Sequence, residues 1–247
     1  MQIHVQRRTR RPPPLAMNSL PQELIDAVID NLPRSSLFSS SLVLKRWRRR
    51  SQRRVLERIK FISEDQVDRW YTDFPQDPKG IASYVRFVGF QNTIFPGNLA
   101  TFGCALQNLC SLTTLWVNGM EIPDELPAQI PRMEVWKRII ILRLWSISST
   151  LTTVVSVVLS LPNLEVLSIS RATAGLGWPL SSHPVIPPHR APLDLLELRG
   201  DDGGIGRALT RSGLMSRHLS LDVDHPDMDQ LIMPSSETLV KLTLYGM

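Results

Sequence analysis

Three short stretches decide the fold: LTTLWV at residues 112–117, IIILRL at residues 139–144 and LEVLSI at residues 164–169. Each has apolar residues at its first, fourth and sixth positions. Further copies of this spacing occur at Val85/Val88/Phe90, Leu193/Leu196/Leu198 and Leu239/Leu242/Leu244, with a partial copy at Leu219/Leu221. The middle members fall at residues 88, 115, 142, 167, 196, 219 and 242, so the unit recurs every 23 to 29 residues. The chain therefore contains an internal repeat.

A repeat of this length and pattern resembles leucine-rich repeats. Each copy predicts one strand, and neighbouring strands of a parallel sheet bury their apolar side chains together. We expect the segments between strands, such as 149–161 and 206–215, to return as helices on the outer face. Residues 81–247 are thus predicted to form a degenerate leucine-rich-repeat domain, a βα solenoid. Because the chain stops directly after a repeat strand, we also expect a C-terminal truncation or an uncapped edge strand.

The segment before the repeats has helical periodicity. One apolar stripe consists of Leu20, Leu24, Ile25, Val28, Ile29 and Leu32. Pro33 ends this helix, and Ser35 and Ser36 are candidate caps for a second. A third, arginine-rich helix carries Trp47, Val55, Leu56 and Ile59 on its apolar side. Residues 19–60 are therefore predicted to form a small three-helix bundle, which would be marginal by itself and would gain from a partner. The fold class that the sequence predicts is α + α/β.

Composition limits the classes of protein that the chain can belong to. Of its 247 residues 43% are hydrophobic and 21% charged, which excludes a wholly disordered or collagen-like chain. The two cysteines, Cys104 and Cys110, exclude a disulfide scaffold and give no reason to expect an oxidising compartment. The apolar run 139–161 contains Arg143 and many Ser and Thr residues, so no membrane span is predicted.

Charge is distributed unevenly along the chain. Residues 1–60 contain 14 Lys and Arg residues against four acidic ones, a net charge of +10, and the remainder has a net charge of −5. We expect the two parts to have different partners. Residues 1–18 are predicted to be a disordered basic tail, because they are polar and interrupted by prolines. Residues 61–80 are predicted to be a helical linker between the bundle and the repeats.

The stretch Leu20-Pro21-x-Glu23-Leu24-Ile25, followed by Ile29, Leu32-Pro33, Leu37, Val43, Lys45 and Trp47-Arg48, resembles the F-box motif. The resemblance covers residues 20–48 directly, and its specificity lies in the joint order of these elements. It departs from the family at Ser35-Ser36, where an acidic residue often stands. With the degenerate repeats that follow, the chain resembles F-box proteins of the fungal type.

The resemblance implies a function without catalysis. F-box proteins are substrate receptors of SCF-type cullin–RING ubiquitin ligases: the F-box docks on a Skp-type linker subunit, and through it on a cullin, while the downstream domain holds the protein substrate. The expected protein has no catalytic residues, cofactor or metal and is intracellular, cytoplasmic or nuclear. It has no membrane partner, and nucleic acid is disfavoured. The alternative is an interaction scaffold outside any ligase, with a vestigial F-box.

The apolar residues of the motif are the expected docking set, because helices of this kind lie in an apolar groove of their partner. The set comprises Leu20, Pro21, Leu24, Ile25, Ile29, Leu32, Leu37 and Val43. Some of these must fill the core of the bundle, and the sequence does not divide them. Trp47 is expected to pack in the core or between domains. Lys45 and Arg48 either reach acidic groups of the linker subunit or remain solvated.

One stretch has the spacing of a dinucleotide-binding turn. Gly204-x-Gly206 follows a predicted strand, and Asp224 lies about twenty residues further on. However, Leu209 occupies the place of the third glycine, and Asp201-Asp202 have the wrong sign for a pyrophosphate. A nucleotide-binding enzyme is therefore the remote alternative to a glycine-rich turn between repeats.

Three further clusters have more than one interpretation. The acidic segment 222–229 lacks calcium-loop spacing and is interpreted as a solvated loop or part of a substrate-binding rim. The proline-rich loop 181–190, with His183 and His189, is either a recognition element or a tolerated insertion. The arginine-rich segment 46–58 is interpreted as a solvated or partner-facing helix rather than a nucleic-acid site.

Overall fold

The computed structural model describes residues 20–43, 45–73, 80–91, 106–175, 191–200, 204–222, 225 and 228–245. The chain divides into two compact units, Met1–Val55 and Leu56–Met247. Helices and strands are both present, and the largest sheet is parallel, so the predicted α + α/β class is confirmed at this level. The predicted tail 1–18 and the loop 181–190 lie outside the described residues.

The described part of the first unit consists of α1 (Gln22–Asn31), α2 (Arg34–Val43) and α3 (Lys45–Leu56). Pro21 is the N-cap residue of α1, and Leu32 is extended (φ −71°, ψ 140°), as expected for a residue before proline. Helix α1 therefore ends where Pro33 begins the turn into α2. The buried apolar side chains of this unit are Ile25, Ile29, Leu37, Trp47 and Val55.

Three sets of side chains in helix α3 have a spacing of four residues. The buried set is Trp47/Ser51/Val55, the set that contacts α1 is Arg46/Arg50/Arg54, and an exposed set is Lys45/Arg49/Arg53. On the buried face the Ser51 hydroxyl lies 3.0 Å from that of Ser40 in α2, and both serines are buried. An arginine-rich helix can pack in so small a unit because only every fourth residue enters its core.

Asp30, in the last turn of α1, connects this helix to the arginines of α3. Its carboxylate accepts a hydrogen bond from Arg50 Nε at 2.9 Å and lies 3.5 Å from Arg54 Nη1, while Arg54 also donates to the Asp30 carbonyl. The hydrogen bond from Arg50 lowers the pKa of Asp30, against the opposing effect of desolvation. At the other end of α1, Arg46 Nε donates to Gln22 Oε1 at 3.2 Å.

The second unit contains an eight-stranded parallel sheet in the order β1-β2-β3-β4-β6-β8-β9-β10. These strands are β1 (Arg58–Phe61), β2 (Phe87–Gln91), β3 (Thr114–Asn118), β4 (Ile141–Trp145), β6 (Val166–Ser170), β8 (Leu193–Arg199), β9 (Ser216–Asp222) and β10 (Lys241–Tyr245). Two short strands, β5 (Ser148–Thr150) and β7 (Thr173–Gly175), form a second parallel pair.

Helices connect these strands. They are α4 (Glu64–Asp73), α5 (Leu126–Gln129), α6 (Leu151–Leu159), α7 (Ile205–Arg211) and α8 (Met228–Ser235), with 3₁₀ turns at Ile81–Tyr84, Ile130–Arg132 and Trp136–Arg138. Thr150 caps α6, because its hydroxyl accepts from the Thr153 N–H at 3.2 Å. Among the described residues, no helix has both the length and the apolar character needed to cross a membrane.

The repeat positions meet each other across the sheet. In register, the middle members pair in the series Val88, Leu115, Leu142, Leu167, Leu196, Leu219 and Leu242. The first six of these are at most 3% exposed. The prediction of one strand per repeat copy is therefore confirmed, and the sequence period of the repeat is the step from one strand to the next.

A left-handed residue follows four of the strands and repeats the same turn. These residues are Gly119 (φ 65°), Ser146 (φ 48°), Arg171 (φ 53°) and Gly200 (φ 66°). The N–H groups of the first three donate to the carbonyls of Trp145, Ser170 and Arg199, each at the end of the next strand in the sheet. Gly200 donates instead to the Asp222 carboxylate. The turn thus links each strand to its neighbour beyond the ladder.

Two predicted elements differ from the structure. The third helix was expected to continue through Ile59, which is wrong: the helix ends at Leu56, and Ile59 pairs with Val88 in the sheet. In this strand the Ile59 side chain is partly buried and packs against the core of the second unit. A helix is present within 61–80 as α4, but Phe61 and Val67 are buried in the core of the second unit, so this segment packs there instead of only linking two parts.

Gly89 of β2 leaves space for a large side chain of the neighbouring strand. A Cβ on Gly89 of β2 would lie 2.7 Å from Trp116 Cε3 and 3.2 Å from Phe87 Cε1. The Trp116 indole therefore occupies the space above Gly89.

At the other end of the sheet, Leu242 and Leu244 of β10 are 40% and 45% exposed although they occupy repeat positions.

Replacement of Asp30 by Asn is expected to destabilise the contact of α1 with α3 by less than about 1 kcal/mol, since the carboxylate is 36% exposed. The lowered pKa means that the charged pair stabilises the folded state above the ordinary carboxyl pKa. This contribution is lost as the pH falls through the lowered pKa. Hydrogen exchange of the α1 and α3 amides should thus differ between variant and wild type at neutral pH and converge in acid; an equal difference at every pH would contradict this.

Gly89→Ala is expected to destabilise the second unit by about 1–3 kcal/mol, because the new methyl group overlaps the Trp116 indole. The measurement is urea unfolding of the full chain. In a Trp116→Leu background the same Gly89→Ala change should cost much less, since the obstructing ring is gone. An equal cost in both backgrounds would show that the indole is not the cause.

Candidate functional site

The first unit exposes apolar side chains on two helices. Leu24 and Val28 of α1 are 54% and 46% exposed, and Phe38 and Leu42 of α2 are 62% and 79% exposed. In each helix the two residues are four apart, so they lie on one face. We name these four residues the exposed apolar pairs. Large apolar side chains exposed on a small unit are typical of a protein-binding surface.

The structure divides the predicted docking set. Ile25, Ile29 and Leu37 are at most 1% exposed and form the core of the unit. Leu24 and Pro21 are exposed, whereas Leu20 and Leu32 are half-buried. The side chain of Val43 lies outside what the structure describes. Leu24 and Pro21 are therefore the two members of the set that are available on the surface without rearrangement.

Sequence reasoning missed three of the exposed apolar residues as docking candidates: Val28, Phe38 and Leu42. The available signal was their spacing. Leu24 and Val28 each precede a core position by one residue, Ile25 and Ile29 respectively. Phe38 follows the core position Leu37 by one residue, and Leu42 lies four residues after Phe38. When a helix has apolar residues at two neighbouring sets of positions, its apolar face is wider than one core contact can bury.

Basic residues lie on the same unit. Lys45, Arg48, Arg49 and Arg53 of α3 are exposed, and the predicted burial of Trp47 is confirmed at 8% exposure. The other arginines of this helix are engaged with α1, as described above. The exposed cations form a stripe along α3, because Lys45, Arg49 and Arg53 are four residues apart and Arg48 lies three residues after Lys45.

The dinucleotide-turn spacing has a structural role in this fold. Gly204 adopts a left-handed conformation (φ 75°) immediately before α7, and Gly206 is buried within this seven-residue helix beside Ala208 and Leu209. Asp222 accepts a hydrogen bond from the Gly200 N–H. Gly204 and Gly206 therefore lie at the start of the helix between β8 and β9. Asp201, Asp202 and Asp224 lie outside the described residues.

The other chemical candidates are separated or undescribed. Within the described part of the chain, no group of three or more His, Cys, Asp or Glu side chains could hold a metal ion. His225 is 5% exposed and Asp229 is exposed, whereas Asp227 lies outside the described residues. Cys104, His183 and His189 are also outside them. Cys110 is half-buried just before β3.

An open cleft of about 450 Å³ lies at the amino-terminal ends of β3, β4 and β6. Lys137, Arg138 and Glu165 line it, and Lys137 Nζ lies 2.5 Å from Glu134 Oε1. Its lining therefore combines both signs of charge.

The chain matches no model of a known protein family. Comparison with curated proteins gives no match either.

The division of the docking set has a direct test in stability. Ile29→Ala should destabilise the first unit by about 2–5 kcal/mol, because it removes buried atoms and leaves a cavity. Leu24→Ala, on the same helix, should change the stability by no more than about 0.5 kcal/mol. Hydrogen exchange of the α1–α3 amides in the full chain measures both. Equal effects of the two substitutions would contradict the division.

Proposed function

We propose that this protein is a non-catalytic substrate adaptor of an SCF-type cullin–RING ubiquitin ligase. In this proposal the first unit is an F-box that docks on a Skp-type linker subunit. The second unit is a leucine-rich-repeat-like domain that holds the protein to be ubiquitinated. The observation that carries the proposal is the set of exposed apolar pairs on α1 and α2, within the segment that resembles the F-box motif.

The exposed apolar pairs suit a docking role energetically. Complete burial of one large apolar side chain is worth about 1.5–3 kcal/mol. Four such side chains can therefore supply several kilocalories per mole to an interface, as a small group of anchor residues commonly does. Because Ile25, Ile29 and Leu37 already fill the core, docking of this surface requires no unfolding of the unit.

The exposed cations of α3 support an acidic partner. Lys45, Arg48, Arg49 and Arg53 leave this helix with a positive stripe that α1 does not neutralise. Acidic groups on the linker subunit would complement it, mainly in the rate of association. This supports the assignment but is secondary to the apolar pairs.

The second unit has the form that the substrate-holding role requires. Its repeat positions pair in register and bury one face of the sheet, whereas the opposite face has exposed side chains on several strands, among them Arg143, Trp145 and Arg199. Stacked units with an extended free face are typical of binding domains.

The test is co-expression of the full chain with a Skp-type linker subunit, followed by size-exclusion chromatography and a binding titration. The wild type should co-elute with the subunit. The variants Leu24→Ser/Val28→Ser and Phe38→Ser/Leu42→Ser should each bind at least about a hundredfold more weakly, because each removes two anchors. The matched control is Met233→Ser/Val240→Ser, which changes two residues of the second unit that are 73% and 77% exposed.

Three results would contradict the proposal. The wild type and the subunit could fail to co-elute, the apolar-pair variants could bind as the wild type does, or the control could lose binding equally. Circular dichroism of each variant shows that it is folded. Binding of another protein without affinity for the linker subunit would favour the scaffold outside a ligase.

A further inference from the structure

The face of the sheet opposite the core carries aromatic rings and cations at its β1–β4 end. We name it the open face. On these four strands its rings are Phe87, Trp116 and Trp145, and its cations are Arg58, Lys60 and Arg143. The neighbouring repeat positions are buried, so the alternation along each strand separates core from open face.

The rings form a continuous platform across three strands. Trp116 lies above Gly89, whose missing side chain leaves the space for the indole. Its ring centroid is 6.0 Å from that of Trp145, with the two planes at 82°, an edge-to-face contact. Phe87 and Trp116 are 8% and 9% exposed, while Trp145 is 44% exposed. One ring of the platform is therefore open to a ligand.

The cations are held at the platform. The Arg58 guanidinium lies 4.8 Å from the Phe87 ring centroid, and Lys60 Nζ lies 4.7 Å from that of Trp116. Arg143 stands directly beside Trp116 in the register of β3 and β4. All three cations are exposed. Cation–π contacts restrict the Arg58 and Lys60 side chains before a ligand arrives, which lowers the entropy that binding would cost.

The charges on the described strands of this region have one sign. Along the described strands β1–β4, the open face carries these three cations and no acidic side chain. The β8–β10 end differs, because Arg199 pairs with Glu197 at 2.7 Å and the Asp222 carboxylate accepts from Gly200. The open face is therefore selectively positive at one end, and an anionic ligand would complement it.

The arrangement favours an acidic peptide over a nucleic acid. Nucleobases bind by stacking on exposed ring faces. Here Phe87 and Trp116 are nearly buried and their faces are occupied by Arg58 and Lys60. Carboxylates need only reach the exposed ammonium and guanidinium groups, and the single exposed ring, Trp145, can receive one apolar side chain.

We infer that the open face of β1–β4 binds an acidic peptide segment of the substrate protein. Carboxylates contact Lys60 and Arg143, and an apolar side chain packs on Trp145. This inference rests on the proposed adaptor function, because it names the chemistry of the substrate that the second unit would hold.

The experiment selects peptides from a random-sequence display library on the immobilised full chain. Selected peptides should be enriched in Asp and Glu around an apolar residue. For the synthesised winner, Lys60→Gln and Arg143→Gln should each weaken binding about tenfold, because each removes a charge-assisted contact. Binding should also weaken with added salt. The matched control is Lys241→Gln, the same change on the exposed open-face position of β10.

Three outcomes would overturn the inference. The selected peptides could lack enrichment in Asp and Glu, or the Lys60→Gln and Arg143→Gln variants could bind the synthesised peptide as tightly as the wild type does. The third outcome is that Lys241→Gln weakens binding as much as these two variants do. Tighter binding of single-stranded oligothymidylate, lost in the same two variants, would replace the peptide by a nucleic acid. Linker-subunit binding is measured on the same preparations. If acidic peptides are selected but the linker subunit does not bind, only the adaptor function is refuted. If the linker subunit binds but no acidic peptides are selected, only this inference is refuted.

Discussion

The strands of the parallel sheet pair in register and bury one face together, and the other features of the structure follow from this packing. From Val88 to Leu219, each strand places its middle repeat residue beside that of its neighbour, and these side chains are almost completely buried. A slip of one residue would turn every apolar side chain to the other face. The left-handed residues after the strands reinforce the register, because their N–H groups bond to the next strand. Ser146 and Arg171 accept an unfavourable conformation to make this bond.

The same registration creates the open face. Since side chains alternate along a strand, fixing the apolar residues inward fixes Lys60, Trp116 and Arg143 outward. Gly89 then becomes necessary, because the Trp116 indole needs the space that a side chain would take. The aromatic platform is therefore a consequence of core packing. The register of the strands sets the positions of its cations, and the rings contact Arg58 and Lys60.

The first unit has only a small core, and one of its three described helices is rich in arginine. Asp30 and Gln22 engage the arginines that face α1, while Trp47 and Val55 enter the core. What the core cannot bury appears on α1 and α2 as the exposed apolar pairs. The two units thus expose different side chains: the first unit exposes apolar pairs and the cations of α3, and the second exposes cations and the Trp145 ring on its sheet. The proposed adaptor function would use one of these surfaces for each partner.

Local sequence patterns are enough to predict the α + α/β class, the strand at each repeat copy and the three helices, because periodicities of two and 3.6 residues follow from local backbone geometry. They do not reveal which members of the predicted docking set are core, since Leu24 and Ile25 are both apolar and differ only in what packs against them. Only the tertiary structure decided this division, and it also decided that Ile59 joins the sheet and that Trp116 lies over Gly89. These outcomes depend on contacts between residues distant in the chain, and no local pattern encodes such contacts.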